Sequence, residues 1–162
     1  MPTSQKLVSL IETNADELTH QWLRLVRNDP QTATYHAFDE KILYDRVYNV
    51  YSQLGKWISR ESRPEDVAVA YSTLGEKRRE EGFLLSEVIQ ALILSRRVLW
   101  AKIQEDGFLD TALDLHMAHA LRNHVAQFFD RATYYIIVGY EKGYSRVEPK
   151  VDSTVRRGPW PE

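Results

Sequence analysis

The residues with chemistry to offer are arginines and tyrosines set among apolar neighbours, and the sharpest of them is Arg96. In the stretch RREEGFLLSEVIQALILSRRVLWAKIQEDG, from Arg78 to Gly107, a charged run passes one glycine and becomes the most apolar helical pattern in the chain. Wound at about 100° per residue, Leu85, Val88, Ile89, Leu92, Leu99, Trp100 and Ile103 share one side, and Arg96 falls in its middle. A buried guanidinium is costly unless it is paired and hydrogen-bonded, so a carboxylate such as Asp45, Glu80 or Asp130 is expected to meet it. Two chemistries fit the position. One is a structural ion pair, or an arginine that snorkels to the helix edge. The other is an anion or ligand contact, or a polar switch at a subunit interface. Arg78 and Asp130 stand beside Arg96 as candidate buried polar or ligand-contact residues.

Other groups offer less. His116 and His119 have a spacing that metal ligands use, but both lie off the apolar stripe of their helix and no His, Cys or acidic set accompanies them. His124 sits at the edge of that stripe. These read as surface or boundary histidines, and no metal is expected. Tyr44, Tyr48 and Tyr51 share one helix, and Tyr134, Tyr135, Tyr140 and Tyr144 another. Tyrosine brings apolar area with a hydroxyl that needs a partner, which suits boundaries and interfaces better than a chromophore pocket. A phosphate-cradling glycine loop, G-x-S-x-G, H-E-x-x-H, an EF-hand loop and a thiol nucleophile are all missing, so no catalytic residue and no cofactor is expected.

Composition narrows the class further. A chain of 162 residues is one domain by size, large enough for a real core. The net charge of −2 gives no pull toward nucleic acid or anionic membranes. The run Glu76–Glu81 mixes both signs at helical spacing and reads as a solvated face. With no cysteine, a disulfide framework and Cys-ligated metal are excluded. The N-terminal residues, with polar and acidic groups among the apolar ones, do not read as a signal peptide, and no apolar run approaches the roughly 18 residues of a membrane span. The expected location is the cytoplasm, with no membrane or nucleic-acid partner.

Glycines and prolines fall between the periodic segments, which is the punctuation of an all-α bundle, here of five helices. Ser4 is placed to cap a first helix whose stripe runs Leu7, Val8, Ile11, Ala15, Leu18, Trp22 and Val26, ending near Pro30. A polar connection over 31–37 leads to a second helix from Asp39 to about Arg60. Ser62-Arg63-Pro64-Glu65-Asp66 signals the start of a third helix, which grows charged up to Gly82. The central helix stops at Gly107, in the αL position. A last helix runs from about Asp110 to Gly143 and turns apolar around nearly its whole circumference between Ala132 and Val138. Such a girdle is either surrounded in the monomer or buried by a partner chain. Tyr134, Ile137 and Val138 are therefore the candidate dimer contacts. The remainder, 144–162, lacks a usable period and reads as an extended tail or linker.

Two segments carry a family resemblance. LGEKRREEGFLLSEVIQALILSRRVLW and FFDRATYYIIVGYEKGY resemble the N-terminal domain of RsbRD-type RsbT co-antagonist proteins, relatives of which precede sensor histidine kinases and other bacterial regulators. The likeness rests on Gly75, Arg78, Gly82, Leu85, Ser86, Glu87, Arg96, Arg97 and Trp100, then on Phe128, Phe129, Asp130, Arg131, Tyr134, Tyr135, Gly139, Tyr140 and Glu141. It extends more weakly to Trp22 and Tyr35, giving a domain over 5–143. The resemblance implies a non-enzymatic input module of stress signalling that forms a homodimer and passes a signal to a histidine kinase or stressosome-type regulator. By analogy with related RsbR proteins it also implies a globin-like arrangement without haem. Neither a STAS domain nor a kinase core follows in these residues, so the module either acts in trans or belongs to a longer protein. The alternative function is a small-molecule or cofactor sensor with a pocket near Arg96.

Overall fold

The structure, a computed structural model, describes residues 3–59, 63–107 and 109–147. It is all-α. Among the described residues, seven α-helices and one 3₁₀ helix follow in the order α1 (Thr3–Thr13), α2 (Ala15–Asn28), the 3₁₀ helix (Pro30–His36), α3 (Glu40–Ser52), α4 (Leu54–Ile58), α5 (Pro64–Glu80), α6 (Leu85–Asp106) and α7 (Ala112–Val147).

The expected first and second helices are each broken once. Asn14 interrupts the first, with φ −102° and ψ 19°. Its Nδ2 donates to the Leu10 carbonyl at 2.8 Å, and Thr13 Oγ1 donates to the Ser9 carbonyl. Such local side-chain bonds compete with the helical ladder, and that is why the stripe bends here without losing its face. Gln53 breaks the second helix, and the Glu12 carboxylate then accepts from the backbone N–H of Gly55 at 2.8 Å. Ser4 lies inside α1 rather than capping it. Asp39 caps α3 as its position suggests, accepting from Ile42 N at 3.0 Å.

The polar connection is not a loop. Asp29 accepts from Gln31 N at 2.9 Å, Pro30 opens the 3₁₀ turn, and Thr32 Oγ1 donates to the Val26 carbonyl at 2.6 Å. These bonds swing Tyr35 into the core, where it is 3% exposed. Pro64 opens α5, with Arg63 at the cap position; the expected Ser62 cap lies outside the described residues. Gly107 ends α6 with φ −76°, in the right-handed region, so the expected αL stop is not there. Among the described residues the left-handed glycine is Gly82, at φ 88°. α7 continues through Val147, so residues 144–147 of the expected tail are helical; residues 148–162 lie outside the described residues.

The central helix also faces a different way from its apolar stripe. The buried side of α6 carries Glu87, Val88, Ala91, Leu94, Ser95, Val98, Leu99 and Ile103, while Leu85, Ile89, Leu92 and Trp100 are only half-buried. This is a rotation of about one residue, ~100°. Small residues explain it. Trp22 Nε1 donates to the Ala91 carbonyl at 2.9 Å, and the Tyr51 hydroxyl donates to the Ser95 carbonyl at 2.7 Å. Ala91 and Ser95 allow that approach, so two aromatic donors draw the small-residue face inward.

The helices α5 and α7 touch backbone to backbone. A Cβ built on Gly139 would lie 1.9 Å from the Ser72 carbonyl oxygen, and one on Gly75 would lie 2.1 Å from that of Ile136. The crossing covers much of the apolar girdle. Ala132 and Ile136 are buried, Ile137 and Val138 are half-buried, and Tyr134 is left 62% exposed. No helix among the described residues is long and apolar enough to cross a membrane.

Candidate functional site

The charged run at the end of α5 is where the chain concentrates buried charge. Gly82 turns the helix back on itself: Gly82 N donates to the Arg79 carbonyl and Phe83 N to the Arg78 carbonyl, both at 3.0 Å. This is the paired bonding of a Schellman terminus, with glycine in its left-handed place. The turn sets Glu81 and Phe83 beside Arg78. Arg78 is 6% exposed, and its Nη1 donates to Glu81 Oε1 at 2.8 Å. From α3, Arg46 Nη2 donates to both oxygens of the same carboxylate, at 3.1 and 2.8 Å. Two guanidiniums thus share one anion.

Aromatic faces complete the cluster. The Arg78 guanidinium lies 5.9 Å from the Phe83 ring centre and that of Arg46 lies 5.4 Å from Phe38. Phe83 packs on Tyr35 at 4.5 Å and on Phe38 at 4.9 Å. Burial, and next the charge of Arg46, press the Arg78 pKa down. Burial pushes the Tyr35 hydroxyl up to about 12. For Glu81, burial acts to raise the carboxyl, but hydrogen bonds and charge from Arg46 and Arg78 outweigh it and hold the pKa below the ordinary 4.5. Nearby, Glu87 ties the 3₁₀ helix to α6. It accepts from Thr34 N at 2.8 Å, Thr34 Oγ1 at 2.7 Å and Leu84 N at 3.0 Å. Those bonds outweigh its burial and lower its pKa too.

Arg78, Arg46 and Tyr35 form one end of a cavity of about 80 Å³. Its other walls come from α2, α3, α5, α6 and α7 and include Trp22, Val50, Tyr71, Ala91, Phe128 and Phe129. Every long element contributes except α1, so any change in the cavity is felt by most of the bundle.

The sequence-predicted residues are not gathered here, apart from Arg78. Arg96 is half-buried, with its guanidinium 5.9 Å from the centre of the Phe129 ring. None of the ion pairs among the described residues involves Arg96, and Asp45, Glu80 and Asp130 are exposed. The rotation of α6 is the reason: it moves Arg96 from the centre of the buried face to its edge. Arg96 lies over the ring of Phe129, which stands in the cavity wall. Arg96→Met is accordingly expected to change stability by less than about 1 kcal/mol in urea denaturation, the scale of a partly exposed cation–π contact.

His116 and His119 are exposed and His124 is half-buried; among the described residues no group of three His, Cys, Asp or Glu side chains could hold a metal. The sequence assigns no site role to Arg46, Glu81, Tyr35, Phe83 or Glu87, although Tyr35 and Glu87 fall in the family-like pattern and Glu81 in the charged run. For Glu81 a signal existed: Arg78 and Glu81 are three residues apart and followed by glycine, which is the spacing of an ion pair closed by a left-handed terminus.

The architecture is that of a helical domain with a small cavity whose polar end is formed by the buried Arg78 and the half-buried Arg46. The chain belongs to the RsbRD_N family: the model of the RsbT co-antagonist protein rsbRD N-terminal domain matches residues 16–148. Its class is therefore a stressosome-type signalling input domain. No curated protein and no solved structure matches the chain.

Proposed function

We propose that the domain is a non-enzymatic input module of bacterial signal transduction that pairs with a second copy of itself. It passes changes in the bundle to a histidine kinase or stressosome-type regulator through α7. One observation carries the relay: α7 is bonded to the buried charge cluster. The Tyr140 hydroxyl donates to the Phe83 carbonyl at 2.6 Å, and Arg79 Nη1 donates to the Tyr140 carbonyl at 3.2 Å. Phe83 carries the Arg78 guanidinium on its ring. A change in how Arg46 and Arg78 share Glu81 therefore displaces a residue bonded to α7. The apolar edge around Tyr134, Ile137 and Val138 supports pairing along the same helix.

Sedimentation velocity tests the pairing. The chain is expected to be a dimer at micromolar concentration, and Tyr134→Asp should shift it to monomer without altering its helical circular dichroism. A wild-type monomer at that concentration would remove the pairing from this reading.

A further inference from the structure

We infer that the cavity is a binding site for a short-chain aliphatic monocarboxylate, with its carboxylate between Arg46 and Arg78 and its apolar tail among the side chains of α6 and α7. Charge is the first argument. The two guanidiniums share the single carboxylate of Glu81, so one positive charge of the pair has no ion-paired anion of its own. One further monoanion balances it, whereas a dianion such as phosphate overshoots. An unfilled donor points the same way. Arg46 Nη1 is buried without a hydrogen-bond partner, and Arg46 belongs to the cavity wall. A buried N–H left unpaired carries a desolvation penalty that an incoming carboxylate oxygen relieves, through a charge-assisted bond.

Size and lining set the tail. Ala91, Phe128, Phe129 and Ile136 offer hydrocarbon and ring surface. The volume of about 80 Å³ is roughly half that of the engineered apolar cavity of about 150 Å³ that holds benzene. It accommodates a tail of about three carbon atoms, as in isobutyrate or butyrate, and excludes a long acyl chain. The ligand is small, so its affinity is modest, with a Kd of about 0.1–1 mM.

The test uses the purified full chain with isobutyrate, isobutyramide, sodium acetate and sodium chloride as probes. Isobutyrate is expected to raise the melting temperature saturably, by about 3–6 °C at tenfold excess over its Kd. It should also give saturable shifts of tyrosine and tryptophan resonances. Isobutyramide and chloride should do neither, and acetate should bind about tenfold more weakly for want of a tail. Arg46→Gln is the diagnostic variant. It leaves Arg78 and Glu81 as a balanced pair, so the fold persists by circular dichroism while isobutyrate binding falls by at least about tenfold. Absence of saturable binding up to about 10 mM, equal responses to chloride and isobutyrate, or undiminished binding by Arg46→Gln would each overturn the inference. The assembly reading is tested separately by sedimentation, so a dimer that ignores carboxylates leaves it standing.

Discussion

Gly139→Ala is expected to lower the unfolding free energy by about 3 kcal/mol, at the upper end of what overpacking costs. A methyl group there would sit 1.9 Å from the Ser72 carbonyl oxygen and 2.7 Å from its carbon. Neither is a side chain that can turn away. The obstacle is the backbone of α5, so the two helices must separate along their whole crossing. Separation opens the packing of Tyr71 and Phe128, whose rings meet edge-on at 5.6 Å. Alanine has the higher helix propensity by about 1 kcal/mol, so a purely local view predicts the opposite sign. Urea denaturation distinguishes the two, and Gly75→Ala, facing the Ile136 carbonyl at 2.1 Å, should behave alike.

Glu81→Gln is the second large effect, also about 3 kcal/mol, because it leaves two guanidiniums facing each other without an anion. Arg78 cannot retreat to water, since its side chain is only 7% exposed. Adding Arg46→Gln removes one of the two charges, so the double variant is expected to be more stable than the sum of the single changes implies. The pH dependence follows the same residue. Glu81 is held below its ordinary value of 4.5 in the folded chain. Between the folded and unfolded values the unfolded chain binds more protons, so stability rises with pH there. The contribution is in place above about 4.5 and is lost as pH falls through the folded value. In Glu81→Gln that part of the acid dependence should vanish, with the share belonging to Glu87 remaining.

Much of the fold was legible because helices announce themselves by period and punctuation. Asp39 and Pro64 mark real starts, and the stripes of α1, α2 and α7 bury the residues they promised, such as Leu18, Val26, Leu121 and Ile136. The orientation of α6 was not legible. A hydrophobicity pattern weighs Leu85 and Trp100 above Ala91 and Ser95, whereas packing chose the small residues that let Trp22 and Tyr51 reach the backbone. That one rotation carried Arg96 to the margin. The candidate site hid for a related reason. Glu81 and Arg78 lie in a charged run, which usually faces solvent, and only the left-handed turn at Gly82 folds them under Phe83. Arg46 comes from another helix and has no local signature at all. Gly75 and Gly139 belonged to the family-like pattern, and their physical reason is a helix crossing too close for a Cβ.

The central claim is that the buried arginine cluster and α7 move as one unit. Amide hydrogen exchange along α7, compared between the wild type and Glu81→Gln under conditions where both are folded, tests it most directly. The account predicts a loss of protection in the turns around Ile136–Glu141, where Tyr140 is bonded to Phe83 and Arg79, that exceeds the loss common to the whole domain seen around Leu121. A loss in Ile136–Glu141 no greater than that around Leu121 would contradict it.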